Sequence, residues 1–231
     1  IGSKIVGGRL LKGQLPGSDI PIFFVDQLAY YDRRELYREN GDDYRDNCER
    51  FVFFCRAVME TIRSLELPVD VVHCNDWQAA LVPALLSQFD THPASVFTIH
   101  NLAYMGLFDK QIFFELGLPA ELWHLNGVEF HDLFSFIKGG LSYADCINAV
   151  SPQYALEIQT PAFGYGLEGL LKYRADRLFG ILNGIDRQTW NPAIDVNLVQ
   201  NYDRDSLAKK AVNKLDLQRR FDLQQDETIP L

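Results

Sequence analysis

The sequence predicts an α/β fold built on a doubly wound parallel sheet. Short apolar runs of strand length alternate with longer segments whose apolar residues recur at helical spacing. The runs are apolar at nearly every position, which suits strands covered on both faces, as parallel strands are. No repeat or low-complexity tract interrupts the alternation. Ile20–Val25 (IPIFFV) is the first strand. Asp43–Leu65 is a helix, with Cys48, Phe51, Val52, Cys55, Val58, Met59 and Ile62 on one face. Val69–Cys74 (VDVVHC) is short and β-branched, a strand. Trp77–Ser87 is a helix that Pro83 kinks, because proline has no N–H and crowds the preceding turn. Ser95–Ile99 is a strand, Phe130–Tyr143 a helix, Cys146–Val150 a strand, and Pro152–Ile158 the start of a helix. Leu178–Leu182 is the last strand, and Ser206–Phe221 a charged amphipathic helix. Arg187–Tyr202 reads as a long connection, and Asp226–Leu231 as the start of a second domain.

The 231 residues amount to one large domain or one and a half. Apolar residues make up 47% and charged residues 23%, as in ordinary globular proteins. Such a chain buries a core without disulfide or metal staples. The balance of 31 acidic against 22 basic side chains gives a net charge of −9. That argues against a nucleic-acid partner, which needs a basic surface, but leaves room for one small anionic ligand. No stretch nears the ~18 uninterrupted apolar residues of a membrane span, and no secretory signal opens the chain. Cys48 and Cys55 fall on one helical face about 10 Å apart along the axis, too far for a disulfide. With Cys74 and Cys146 they read as reduced thiols of a cytoplasmic protein, without the spacing of a zinc site. The chain opens at Ile1 and stops at Ile229-Pro230-Leu231, so both ends read as cut and the expectation is a fragment.

In an open parallel sheet, ligands bind outside the carboxyl ends of the strands. The loops there begin Asn75-Asp76-Trp77, His100-Asn101-Leu102-Ala103-Tyr104, Ser151-Pro152 and Asn183-Gly184-Ile185-Asp186. Each offers groups that hydrogen-bond hydroxyls or phosphate oxygens, which points to a cleft for a polar small molecule. Each also has a structural alternative. Asp76 is placed to cap a helix. His100 is placed to bond backbone at a strand end. Ser151-Pro152 is a standard helix start, and Asn183-Gly184 is a turn signal. Trp77 and Tyr104 are core or rim aromatics as readily as sugar platforms. The pattern Gly164-x-Gly166-x-x-Gly169 lacks the preceding strand that a dinucleotide site needs, so it reads as a loop closing onto a helix from Leu167. No Gly-x-Ser-x-Gly, P-loop or HExxH motif occurs. No two carboxylates can be placed face to face for a glycosidase.

Five strings fall in one order: DVVHCNDWQAALVPALL (Asp70–Leu86), SVFTIHNLAYMGLF (Ser95–Phe108), SYADCINAVSPQYALEI (Ser142–Ile158), FGYGLEGLL (Phe163–Leu171) and GILNGIDRQTWNP (Gly180–Pro192). Together they closely resemble glycosyltransferase family 5, the bacterial glycogen synthases and plant starch synthases. Weaker likeness extends upstream through Tyr31-Asp32-Arg33 and Asp46-Asn47. The resemblance implies a GT-B fold, two Rossmann-like domains with the active site between them. Residues 1–222 would be the N-terminal domain without its first strand, and residues 223–231 would open the second. It implies retaining transfer of glucose from ADP-glucose to the non-reducing end of an α-1,4-glucan, glycogen or starch, with no metal and no cofactor. By position, Asp76 resembles the aspartate that contacts the transferred glucose. His100 resembles the histidine that holds the sugar 6-hydroxyl, its carbonyl facing the anomeric carbon. Asn183 resembles the asparagine lining the donor site. Trp77, Asn101 and Tyr37 resemble acceptor-side groups, while Gln78 stands where some relatives have histidine. The resemblance also places the lysine–glycine loop before Ile1, and the diphosphate-gripping cations after Leu231. It implies a cytoplasmic protein, or a plastid one in a plant. Two other readings stay open: a glucan-binding domain without activity, and a GT-B transferase using another sugar nucleotide.

Overall fold

A computed structural model describes all 231 residues, which divide into two units, Ile1–Leu182 and Asn183–Leu231. The first unit runs β1 (Arg9–Gln14), β2 (Pro21–Asp26), α1 (Leu28–Tyr31), β3 (Arg38–Glu39), β4 (Asp42–Asp43), α2 (Asn47–Ser64), β5 (Val71–Asn75), α3 (Asp76–Ala79), α4 (Leu81–Leu86), β6 (Ala94–Ile99), β7 (Leu107–Asp109), α5 (Lys110–Glu115), β8 (Glu129–Phe130), β9 (Leu133–Ser135), α6 (Phe136–Tyr143), β10 (Cys146–Ala149), α7 (Pro152–Glu157), α8 (Glu168–Tyr173) and β11 (Leu178–Gly180). In the second unit α9 (Lys210–Arg220) follows a long irregular stretch. There the Asn201 amide donates to the carbonyls of Pro192 and Asp195, and Gln200 and Asn213 bond reciprocally. No helix is long and apolar enough to cross a membrane.

The parallel sheet expected from the sequence is present, in the order β11-β10-β6-β5. Its strands follow one another across the sheet as they do along the chain. Right-handed crossovers in one direction stack their helices on one face. Burial agrees: Cys74, Phe97, Ile99, Ile147 and Ala149 point into the core beneath α2, α4 and α6. On the other face the edge-strand residues Val71, His73, Asn75 and Phe179 are exposed, while Thr98 of the central β6 is buried. Close backbone approach is possible because glycine stands at the contacts. A Cβ on Gly140 of α6 would lie 2.9 Å from the Phe97 ring, and one on Gly180 of β11 2.3 Å from Pro152.

Three elements differ from the sequence reading. Ile20–Val25 is a strand, but it pairs antiparallel with β1 in a separate hairpin, turning at Gly17 with φ +75°. Phe130–Tyr143 is not one helix. His131 and Asp132, with φ of 50° and 64°, close a two-residue turn between β8 and β9. The helix starts only at Phe136, where the Ser135 hydroxyl caps the Lys138 N–H. The spacing Phe130, Phe134, Ile137 mimics a helix, but two successive left-handed residues break it. Trp77–Ser87 is two short helices joined at Ala80, which puts Pro83 in the first turn of α4. No intrahelical N–H is required there.

Buried and half-buried cations tie the layers together through carbonyl oxygens. The Arg174 guanidinium donates to the carbonyls of Leu141, Ser142 and Ala144, which caps the C-terminus of α6. The buried Lys138 ammonium donates to the carbonyls of Leu125 and Glu129, and burial pulls its pKa down. Asp145 accepts from both the N–H and the hydroxyl of Ser95. Burial pushes its carboxyl up, but these hydrogen bonds outweigh it and leave the pKa below the usual range.

Two outcomes follow from this packing. Gly140→Ala gains about 1 kcal/mol of helix propensity but overpacks Phe97 at about 1–3 kcal/mol, so the melting temperature should fall. Gly169→Ala, with nothing within 4 Å of its Cβ, should raise it by about 0.4–1 kcal/mol equivalent. Burial pushes the Cys74 thiol up to about 12 and raises Cys48 and Cys55 as well. Thiolate therefore forms only far above neutral pH. Iodoacetamide at pH 8 on the native protein should label the partly exposed Cys146 alone, and all four cysteines after unfolding, as read by peptide mass.

Candidate functional site

The carboxyl ends of β5 and β6 lie side by side, with Asn75 paired to Thr98 in register. The chain leaves β5 through Asp76, which adopts φ +55°, a left-handed conformation costly for a non-glycine residue. This turns the Asp76 carboxylate sideways. It does not cap its own helix; its Oδ1 accepts the His100 backbone N–H at 2.9 Å. The His100 ring is tied to the same strand end, its Nε2 lying 3.0 Å from Asn75 Oδ1. With the amide so oriented, Nε2 donates and Nδ1 is left as an acceptor. His100 is therefore bonded to a side chain, not to backbone as the structural alternative held.

The loop after β6 is held by side chains at successive amides. His100 N–H goes to Asp76, Leu102 N–H to the Tyr154 hydroxyl at 2.9 Å, and Ala103 N–H to Asn101 Oδ1 at 3.0 Å. Tyr154 reaches this loop from α7, and burial raises its phenol pKa. The Asn101 oxygen is used in this local turn, which leaves its Nδ2 for a ligand.

Beside the strand ends opens a cleft of about 720 Å³. Four of the residues expected in a site line it together: Tyr37, Asp76, Trp77 and Asn101. Trp77 is 9% exposed and mostly a core ring. Phe51 and Phe136 meet it edge-on, with centroids at 4.7 and 5.7 Å. Tyr37 lies across it at 6.2 Å and is 40% exposed to the cleft. Gly106, φ +58°, is required where the chain passes this indole, because a Cβ there would lie 2.5 Å from the ring. Asn183 is exposed and belongs to the second unit.

The cleft also holds Arg38 and Asp43, which the sequence reading did not single out, together with Asn47 and Tyr104, which it named. Asn47, at the start of α2, is buried at its floor. Arg38 and Asp43 face one another across the small β3–β4 hairpin with Arg38 Nε 2.9 Å from Asp43 Oδ1, and the carboxylate holds the guanidinium above its usual pKa. Tyr104, 60% exposed, stands on the opposite loop. The string NLAY, directly after His100, contained the signal for Tyr104. Nothing local marked Arg38 or Asp43, which a hairpin brings in from outside the sheet. The Gly164–Gly169 pattern forms a turn between α7 and α8, where Gly164 N–H donates to Thr160 O and Leu167 N–H to Gly164 O. Ser151 is a plain helix cap, accepting Tyr154 N–H at 2.9 Å.

Comparison with known proteins identifies relatives of the chain. The chain is 48% identical over 227 residues to glycogen synthase 2 of Nitrosococcus oceani, covering 96% of this chain and 46% of that protein. It is 49% identical to the glycogen synthase of Thioalkalivibrio sulfidiphilus, at 96% and 47% coverage. The chain thus spans about half the length of the curated relatives it matches. Among solved structures, the catalytic domain of starch synthase IV from Arabidopsis thaliana, bound to ADP and acarbose, superposes with a TM-score of 0.78 at 29% identity, over 96% of this chain and 46% of that one. The starch synthase catalytic domain family matches residues 7–173, well over half of the 231, and the chain belongs to that family.

Proposed function

We propose that the whole protein is a retaining glucosyltransferase that moves glucose from ADP-glucose to the non-reducing end of an α-1,4-glucan. The observation that carries this is the bond from Asp76 Oδ1 to the His100 N–H. It sets a carboxylate and a histidine at adjacent strand ends, beside a cleft walled by Tyr37, Trp77 and Asn101. A glucose ring has apolar faces and a polar rim. Aromatic walls suit its faces, and amide and imidazole groups suit its hydroxyls. The relatives named glycogen synthase, and the ADP and acarbose in the solved starch synthase, favour the same substrates.

In this reading the glucan enters along Tyr37, Trp77 and Asn101, and the transferred glucose lies against Asp76 and His100. As the bond to ADP breaks, positive charge develops on the sugar. A carboxylate held in place by strained backbone stabilises that charge without reorganising. The His100 ring, anchored at Nε2, offers Nδ1 to a sugar hydroxyl. Asn183 is assigned to the donor by the family resemblance alone. The one cation lining the cleft, Arg38, is engaged by Asp43; the grip on the diphosphate belongs to the cations that the family resemblance implies outside this stretch. Four free thiols, three of them buried, suit the reducing cytoplasm.

The full-length protein is expected to incorporate labelled glucose from ADP-glucose into maltoheptaose. Equal or greater use of UDP-glucose would select a transferase for another nucleotide sugar, and glucan binding without transfer an inactive domain. Removing the ring in His100→Ala should lower kcat by about 10²–10³ per folded molecule, with glucan affinity little changed. A folded variant within a few-fold of wild type would remove His100 from the chemistry.

A further inference from the structure

The glucan-side Tyr37 lies in an irregular stretch between α1 and β3, yet its backbone is held as firmly as a helix would hold it. Two peptide planes set its φ and ψ; each carbonyl is taken by a buried side chain of α2, and the Tyr37 carbonyl also accepts the Tyr44 N–H at 3.0 Å. Asn47 Nδ2 donates to Tyr37 O at 3.0 Å, and Arg50 Nη2 to Leu36 O at 3.0 Å. Arg50 Nη1 also donates to Asn47 Oδ1 at 2.5 Å, and its Nε to Tyr30 O at 2.8 Å, so the two side chains act as one clamp. Both residues are 3% exposed. No carboxylate pairs with the Arg50 guanidinium. Its charge is met by oxygens of this clamp and by the Tyr44 and Phe51 rings at 5.1 and 5.2 Å. Desolvating an arginine to hold a surface segment is costly, and a loop with no role tolerates looser anchoring. The clamp aims the Tyr37 ring across Trp77 and into the cleft.

We propose that Asn47, held by Arg50, is a positioning residue for Tyr37 and thereby sets the affinity of the cleft for glucan. This rests on the reading of the cleft as the glucan side. Asn47→Asp is the informative change. It keeps the oxygen that Arg50 grips and replaces the donor facing Tyr37 O with a second oxygen.

The test measures the dissociation constant of maltoheptaose and the KM values of maltoheptaose and ADP-glucose, in the full-length enzyme. Asn47→Asp should weaken glucan binding about tenfold, the loss of roughly one hydrogen bond and the gain of one repulsion, while the KM for ADP-glucose holds. In a Tyr37→Ala background the same substitution should change glucan binding less than about twofold, because the residue it acts through is gone. Arg50→Lys, which keeps the charge but cannot span both oxygens, should show the same pattern and serves if Asn47→Asp does not fold. Unchanged glucan affinity in folded Asn47→Asp, or an equal loss with and without Tyr37, would overturn the proposal. Wild-type enzyme that binds maltoheptaose but transfers nothing would overturn the transferase reading, while the dissociation constants still read the clamp. Wild-type enzyme that binds no glucan would overturn both.

Discussion

The cleft depends on one indole. Trp77 sits at the first turn after β5, and its ring is the contact shared by the N-terminal loop through Tyr37, α2 through Phe51, the β7 strand through Phe108 and α6 through Phe136. Aromatic pairs at such distances add to the area they bury, about 0.5–1.5 kcal/mol each, and four share this ring. The same side chain therefore fastens the N-terminal loop to the sheet and forms a wall of the site. A core residue that is also a wall leaves little room for the wall to move. Gly106 is the counterpart constraint, since any side chain there would displace the ring.

Around that ring, the backbone strain of the candidate site falls at Asp76. Asp76 holds a left-handed backbone, and the strain is offset by the hydrogen bond from the next strand's first loop amide. The amides that follow are met by Tyr154 and Asn101. A loop whose N–H groups are bonded to side chains, two from other elements and one from the loop itself, keeps its shape without being a helix or strand. Under the proposed function, such preorganisation would hold its hydroxyl-binding groups and one carboxylate at fixed positions.

Three of the less exposed cations serve backbone rather than carboxylates. Arg50, Lys138 and Arg174 each donate to carbonyls at places where irregular chain meets a helix. Carbonyls buried without a partner are costly, and a long donor-rich side chain satisfies several at once. Surface ion pairs such as Arg38–Asp43 and Lys110–Asp132 are more exposed and contribute little stability, though the former shapes the cleft rim.

The sequence by itself determined the class of the fold. Four strands with their helices, and the polar groups at two adjacent strand ends, were legible because apolar periodicity and loop position are local properties. It also brought Asp76, Trp77, His100 and Asn101 into view, since each follows a strand end directly. Three things came only with the tertiary structure. IPIFFV joins a separate hairpin, because pairing partners are chosen by the whole chain and not by the strand. His131 and Asp132 turn a helix-like pattern into two strands, because left-handed residues leave no mark in hydrophobic spacing. Asn47 and Arg50 became part of the site's frame, because hydrogen bonds to carbonyls ten to twenty positions away depend on where the backbone goes and not on which residues are neighbours in sequence.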